Sequence, residues 1–326
     1  MPPETLSRAD SILGYLSFSI SYLCVAVLTF GMPVGIVLFP RTIGLLAALP
    51  YWTYTWTVGR QELKDAAYRP AFSQDFVVFR YMRKFLRMTM ADLPQELVEA
   101  EKTPNAQFVF AMFPHAVWAD YHAPMAGMWH TVFPNIHRKI RFLIASVLFR
   151  VPIVREWSLW TGGIDASRSV AEAALDRGRS ICVKPGGEAE QLRTTHGREI
   201  VYLRHRRGFL KLAMKKGVPV VPVYVFGAND YHRTFNFLFR PREWLQKRLG
   251  VCLPMAFGYW GSMCPLPVPT TIVFGKPISF DVETPGMPSE TEVIEAHRIF
   301  CQVLIRLFDE HKNALGYGDR HLEIVL

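Results

Sequence analysis

The chain opens with two long runs that carry no charge. Ser11 to Pro40 is the first, Arg41 interrupts it, and Thr42 to Gly59 is the second, broken by Pro50. A helix of about 20 apolar residues crosses a bilayer, so the first run is long enough to span and the second is borderline. A signal peptide competes as a reading, but the stretch is too long and no small-residue site closes it. Core helices compete too, yet uncharged runs of this length rarely serve as core. The expectation is a membrane hairpin, transmembrane or re-entrant, over residues 1–59. Arg60, Lys64, Arg69, Arg80, Arg83, Lys84 and Arg87 crowd its far side. Positive charge marks the cytoplasmic face. A hairpin around Arg41 puts both ends in the cytosol, whereas a single crossing puts the N-terminus in the lumen.

From Gln74 to Met90 the pattern takes a helical period. Arg80, Arg83, Lys84 and Arg87 share one face, with Val78, Met82, Phe85 and Thr89 roughly opposite. This predicts an amphipathic helix, lying on a membrane surface or presenting an ordinary solvated face. Residues 60–92 are read as a basic interfacial segment and 93–326 as the cytosol-facing domain.

Beyond that point strand-like and helix-like segments alternate. Gln107–Met112, Arg141–Ile144, Ser180–Val183, Glu199–Leu203 and Thr271–Phe274 read as strands. Val218–Phe226 reads as an irregular or edge strand, because Pro219 and Pro222 intrude. Ser169 to Arg177 reads as a helix with a Ser169-x-x-Glu172 cap, and Gly208 to Lys216 as one stopped by Gly217. Arg240 to Pro269 reads as a Pro-rich, aromatic-rich connection. A terminal helix starts at Ser289, with Glu292 completing its capping box and Val293, His297, Phe300, Leu304 and Leu307 as its apolar stripe. Such alternation argues for an α/β sheet flanked by helices.

Composition narrows the class. Half of the 326 residues are apolar, and the formal charge is +9. That charge suits anionic lipid or a phosphate-bearing ligand, and no motif for nucleic acid accompanies it. The five cysteines have no paired spacing, which implies neither a disulfide framework nor a metal site.

Four segments could carry chemistry. The first is Pro114-His115 at the end of an apolar strand. Proline forces the chain off the ladder, and ligands of open α/β sheets bind outside the carboxyl ends of strands. Imidazole suits proton transfer at neutral pH. Asp120, five residues on, is a possible orienting partner in a His-x-x-x-x-Asp spacing. The second is Pro185-Gly186-Gly187 with Glu190. Either the glycines admit backbone N–H groups to a ligand and Glu190 orients His115, or the segment is a plain turn. The third is Arg204, His205, Arg206, Arg207 and Lys211 at a strand end and helix start. It reads as a phosphate site, for instance for coenzyme A, or as a solvated basic face. The fourth, Phe226-Gly-Ala-Asn-Asp230, reads equally as ligand or turn.

In order, the blocks resemble the type-2 diacylglycerol acyltransferase family, which includes monoacylglycerol and wax-alcohol acyltransferases. They are Phe113-Pro-His-Ala116, Pro152-Ile-Val-Arg-Glu156, Gly162-Gly163, Ser167-Arg168, Gly186-Gly187 with Glu190, Arg204-His-Arg-Arg-Gly-Phe209 with Lys211, Phe226-Gly-Ala-Asn229, Gly275-Lys-Pro277 and Leu307-Phe-Asp-Glu-His-Lys312. The resemblance implies a glycerolipid-acyltransferase-like mixed sheet flanked by helices. It implies an endoplasmic-reticulum enzyme, with lipid droplets as a second location, that esterifies diacylglycerol or a similar lipid alcohol from acyl-CoA. No permanently bound cofactor is implied, and oligomerisation stays open. His115 is implied as catalytic and Glu190 as part of its site, with Asp120 resting on spacing alone. Arg204, Arg206, Arg207 and Lys211 are candidate coenzyme A ligands, and Gly186 and Gly187 candidate oxyanion donors. Relatives carry His-Pro-His-Gly or Glu-Pro-His-Ser where this chain has Phe113 and Ala116. That departure motivates the alternative of an inactive lipid-binding relative; a lysophospholipid acyltransferase is the alternative among enzymes.

Overall fold

The computed structural model describes residues 6–39, 42, 46, 48–57, 59–249 and 252–325. Arg41, on which the expected hairpin turn falls, lies outside them. Eleven strands form in chain order: β1 (Thr89–Met90), β2 (Val109–Phe113), β3 (Ile140–Ile144), β4 (Gly163–Asp165), β5 (Ser180–Val183), β6 (Glu199–Tyr202), β7 (Val220–Phe226), β8 (Arg233–Thr234), β9 (Ala256–Phe257), β10 (Thr271–Phe274) and β11 (Leu322–Val325). Seven of them make the main sheet, in the order β1-β10-β7-β2-β5-β3-β4. β7, β2, β5, β3 and β4 run parallel, and β10 is antiparallel to β7. This is the mixed sheet flanked by helices that the alternation predicted.

β2 sits at the centre because it is apolar on both faces. Phe110 and Met112 join one core with Trp129, Phe133, Phe142 and Phe274. Val109, Ala111 and Phe113 join the other, with Leu210, Leu304 and Phe308. A strand buried on both faces needs such an uninterrupted apolar run. Each large side chain so buried contributes roughly 1.5–3 kcal/mol.

Several local expectations fail for physical reasons. β7 is an interior strand, paired with β2 and β10 and buried throughout. Pro222 has no N–H to donate, and it faces β10 just past that strand's end at Phe274, where its carbonyl accepts from Gly275 N–H at 2.8 Å. The helix expected over Gln74–Met90 is two helices, Pro70–Asp75 and Val77–Phe85, followed by β1. Phe76 is extended at ψ 119° between them. Its basic side is divided: Arg83 donates to the carbonyls of Ser73, Gln74 and Pro124 and Arg87 to that of Pro267, while Arg80 and Lys84 stay exposed. Phe79, Met82, Phe85 and Leu86 are core residues. The helix expected at Ser169 begins at Arg168 with Ser167 as its N-cap residue. β6 lies outside the main sheet, paired in parallel with β11. The Pro-rich connection contains a helix, Phe239–Leu249. The Ser289–Glu292 capping box forms as read, with Ser289 N–H donating to the Glu292 carboxylate at 2.6 Å.

The first apolar run is one long helical segment, Arg8–Leu38, with a widened turn over Val27–Gly31 just before Pro33. Proline cannot donate to the carbonyl four residues back and pushes it away. The segment is the one helix among the described residues long and apolar enough to cross a membrane. Its first part is docked on the body. Phe18 is buried against the Phe85 ring at 5.9 Å, and Gly14 sits so close that a Cβ there would meet Phe85 Cβ at 2.3 Å. Beyond Tyr22 the side chains Leu23, Val27, Val34, Val37 and Leu38 are exposed. The second run contributes the short helix Leu49–Trp56.

Candidate active site

Parallel strands direct their carboxyl ends to one rim of the sheet, and β2 and β5 are neighbours there. β2 ends at Phe113 and β5 at Val183, with Ala111 paired to Val183, so Pro114-His115 and Lys184 leave the sheet at the same rim. The chain turns at once after β2. Pro114 carbonyl accepts the Tyr121 hydroxyl at 2.7 Å, and Ala116 adopts a left-handed φ of 59°.

The His115 ring is half-buried, and its Nδ1 lies 3.0 Å from the Ala116 carbonyl. A carbonyl only accepts, so Nδ1 carries the proton and Nε2 keeps its lone pair. Burial pushes the imidazole down to about 4, and the Lys184 charge adds to that. At neutral pH His115 is an uncharged base with its lone pair on the outer nitrogen.

Glu190, on the helix Gly187–Arg193, reaches this loop through the backbone. One carboxylate oxygen accepts from His115 N–H and the other from Tyr202 N–H at 2.8 Å. The carboxylate therefore binds the end of β2 to the end of β6 and does not touch the imidazole ring. Burial raises Glu190 to about 7 against the pull of those two N–H groups and of Arg206. Gly186 is glycine for want of space: a Cβ there would lie 2.1 Å from the Glu190 carboxylate. Gly187 N–H already donates to Lys184 carbonyl at 3.2 Å.

The basic block lies next to this clamp, since β6 leads into it. Arg204, Arg206 and Lys211 are exposed, the Arg206 guanidinium sits 5.8 Å from the Tyr202 ring, and Arg207 pairs with Glu290 at 3.2 Å. The fold thus joins His115, Glu190 and the basic block, although Glu190 and His115 stand 75 positions apart.

Asp120 goes elsewhere. Its carboxylate accepts from the Tyr22 hydroxyl of the N-terminal helix, and Oδ2 lies 3.8 Å from His232 Nδ1. No hydrogen bond joins it to the His115 ring, so the five-residue spacing does not deliver an orienting partner. His232 Nε2 donates to Met263 carbonyl at 3.0 Å, which leaves Nδ1 as an acceptor facing Oδ2. Neither atom has a hydrogen-bond partner among the described residues. Two facing acceptors repel unless one carries a proton, and burial raises Asp120 to about 7 accordingly.

Sequence reasoning passed over Lys184 and His122. Lys184 Nζ lies 2.9 Å from His122 Nδ1. The available signal was a lysine directly after an apolar strand and before Pro-Gly-Gly, a charge at the rim where the chain needs none for folding.

A neutral imidazole stands at a sheet rim, a basic block lies near it and an apolar helix docks on the same body, in a chain whose relatives make it an acyltransferase. The chain belongs to the diacylglycerol acyltransferase family, whose model matches residues 36–325. Among curated relatives, diacylglycerol O-acyltransferase 2 of Xenopus laevis is 28% identical over 97% of this chain and 87% of its own length. The human protein of the same name is 26% identical over 96% and 80%. Human acyl-CoA wax alcohol acyltransferase 2 is 29% identical over 68% and 71%. Among solved structures, the 1-acyl-sn-glycerophosphate acyltransferase PlsC of Thermotoga maritima aligns over 94% of this chain and 98% of its own, at 18% identity and a TM-score of 0.46.

Asp120→Asn supplies an N–H to the facing His232 nitrogen. The raised folded-state pKa means that the stability Asp120 contributes is present at low pH and lost as pH rises from its usual 3.8 through about 7. Melting in detergent should show that loss in the wild type and a smaller loss in Asp120→Asn, where the share of Glu190 remains, with acyl transfer at neutral pH largely kept. Collapse of activity with normal melting would restore Asp120 to the site.

Proposed function

We propose that this protein transfers an acyl group from acyl-CoA to the free hydroxyl of diacylglycerol, giving triacylglycerol and CoA, with His115 as general base. The observation that carries this reading is the Nδ1 contact to Ala116 carbonyl, which leaves Nε2 as an uncharged acceptor. Nε2 takes the hydroxyl proton as the oxygen attacks the thioester carbon. The C–O bond forms, the tetrahedral intermediate expels the sulfur, and the imidazolium returns its proton to the CoA thiolate. General-base help of this kind is worth about 10²–10⁴-fold in rate. Glu190 acts on the backbone: it holds His115 at a set distance from β6 and so from the basic block. Arg204, Arg206, Arg207 and Lys211 would meet the CoA phosphates, with Arg207 first leaving Glu290.

Phe113 and Ala116 do not argue for an inactive relative. Phe113 points into the core, 6.1 Å from the Phe300 ring, so no reacting group is lost there. The family's glycine position is the one where Ala116 takes a left-handed φ, a strained but local substitution.

The apolar N-terminus supports a membrane location, proposed as the endoplasmic reticulum with access to lipid droplets. Beyond the docked stretch Gly14–Tyr22 the helix runs on to Leu38, about 16 residues or ~24 Å, with Leu23, Val25, Val27, Val34, Val37 and Leu38 exposed. That falls short of the ~30 Å hydrocarbon core. A re-entrant hairpin with both ends on the cytosolic side fits better than a crossing. Tags at the two termini should both be digested by protease added to intact microsomes; a protected N-terminus would favour a crossing.

With purified membranes, radiolabelled acyl-CoA and a panel of acceptors, diacylglycerol should be the preferred substrate. His115→Ala should abolish its esterification at normal protein level. Preference for monoacylglycerol or a wax alcohol would revise the acceptor, preference for a phosphorylated acceptor would overturn the class, and retained activity would remove His115 as base. In the same assay Arg206→Ala with Arg207→Ala should raise KM for acyl-CoA several-fold, and an unchanged KM would take them out of the CoA site.

A further inference from the structure

The reaction requires donors for the negative charge that develops on the thioester oxygen, and one of the glycine pair is already engaged. Gly187 N–H is bonded to Lys184 carbonyl. His122 is better placed. It opens the short helix His122–Ala126, and its Nδ1 is 2.9 Å from Lys184 Nζ. An ammonium has protons and no lone pair, so Lys184 donates and Nδ1 accepts. The ring proton must then sit on Nε2. That nitrogen is buried and has no hydrogen-bond partner among the described residues. An unpaired buried donor costs about 1–3 kcal/mol, which makes this atom a candidate contact for a ligand.

The pieces around it hold the ring still. Phe142 packs at right angles to His122 with centroids 4.9 Å apart, and Lys184 Nζ sits 5.5 Å from the Tyr121 ring. Burial first, then the charge of Lys184, holds His122 well below the usual histidine range, so it stays neutral. Burial lowers Lys184 to about 8, which leaves it protonated at neutral pH. His115, in turn, feels the same Lys184 charge. The Lys184 charge acts on both imidazoles, which hold opposite tautomers: His115 keeps a lone pair on Nε2 and His122 an N–H there.

We propose that His122 donates its Nε2–H to the acyl carbonyl oxygen of the thioester, a catalytic role, and that Lys184 is the positioning residue that fixes its tautomer. The inference rests on the acyl-transfer reading of His115. No covalent bond to His122 forms or breaks; the hydrogen bond strengthens as the carbonyl becomes an oxyanion and relaxes when the C–S bond breaks.

The test compares kcat and KM of the full-length protein in membranes. His122→Phe keeps the ring and its packing on Phe142 and removes the donor. It should lower kcat by about 10²–10³-fold with KM for acyl-CoA nearly unchanged. His122→Gln, whose amide N–H reaches close to the Nε2 position, should recover about tenfold or more of that loss. Lys184→Met should lower kcat in the wild type and add little in the His122→Phe background, because both changes remove one interaction. Wild-type kcat in His122→Phe overturns the inference, as does a His122→Gln no better than His122→Phe at equal melting temperature. Fully multiplying losses for His122→Phe and Lys184→Met remove Lys184 from the positioning role. His115→Ala is assayed in parallel: if it is inactive while His122→Phe is normal, only the His122 role fails, and if it is active, the general-base reading fails.

Discussion

One buried carboxylate sets the geometry on which the site depends. Glu190 accepts from His115 N–H and Tyr202 N–H, and so links the end of the central strand to a strand outside the main sheet. Hydrogen bonds to a charged group are worth about 1.5–3 kcal/mol each. Two of them offset much of the cost of taking the carboxylate out of water, which the raised pKa records. The clamp also dictates its neighbours. Gly186 can carry no side chain beside it, and Arg206 lowers its pKa across the short gap to the basic block. A residue that sequence analysis cast as a partner of the imidazole turns out to hold the main chain that carries the imidazole.

Burial does the same work on several groups here, with opposite outcomes by type. It disfavours charge, so the acids Asp120 and Glu190 rise while His115, His122 and His232 fall. Neutral imidazoles are useful only when their tautomers are set. Carbonyls set two of them: Ala116 fixes the proton of His115 on Nδ1, and Met263 fixes that of His232 on Nε2. Lys184 sets the third from the other side, as a donor. The site is thus specified more by which nitrogen holds a proton than by which residues are charged.

The same packing ties the apolar N-terminus to the chemistry. Tyr22 bonds Asp120, Gly14 and Phe18 lie on Phe85, and Tyr15 packs on Trp260 with ring centroids 5.2 Å apart. The helix meets the body only a few residues from the loop that carries His115, so exposed apolar surface begins close to the site.

The sequence by itself determined the elements whose cause is local. The uncharged first run, the strand ending in Pro-His, the Gly217 stop and the Ser289 cap depend on neighbours within a few residues, and all of them form. The ordered blocks determined the family for the same reason, since each is a short string. What the sequence could not decide was anything that depends on distant partners. Pro222 reads as an edge residue until Gly275 is placed beside its carbonyl. The basic stripe after the anchor reads as a free face until three carbonyls are found around Arg83. Asp120 is five residues from His115 and bonds Tyr22, while Glu190 is far along the chain and bonds His115. Spacing along a loop says little about direction, because a left-handed turn at Ala116 re-aims everything after it. Only the closed sheet, by setting β2 against β5 and the clamp against β6, decided which polar groups meet.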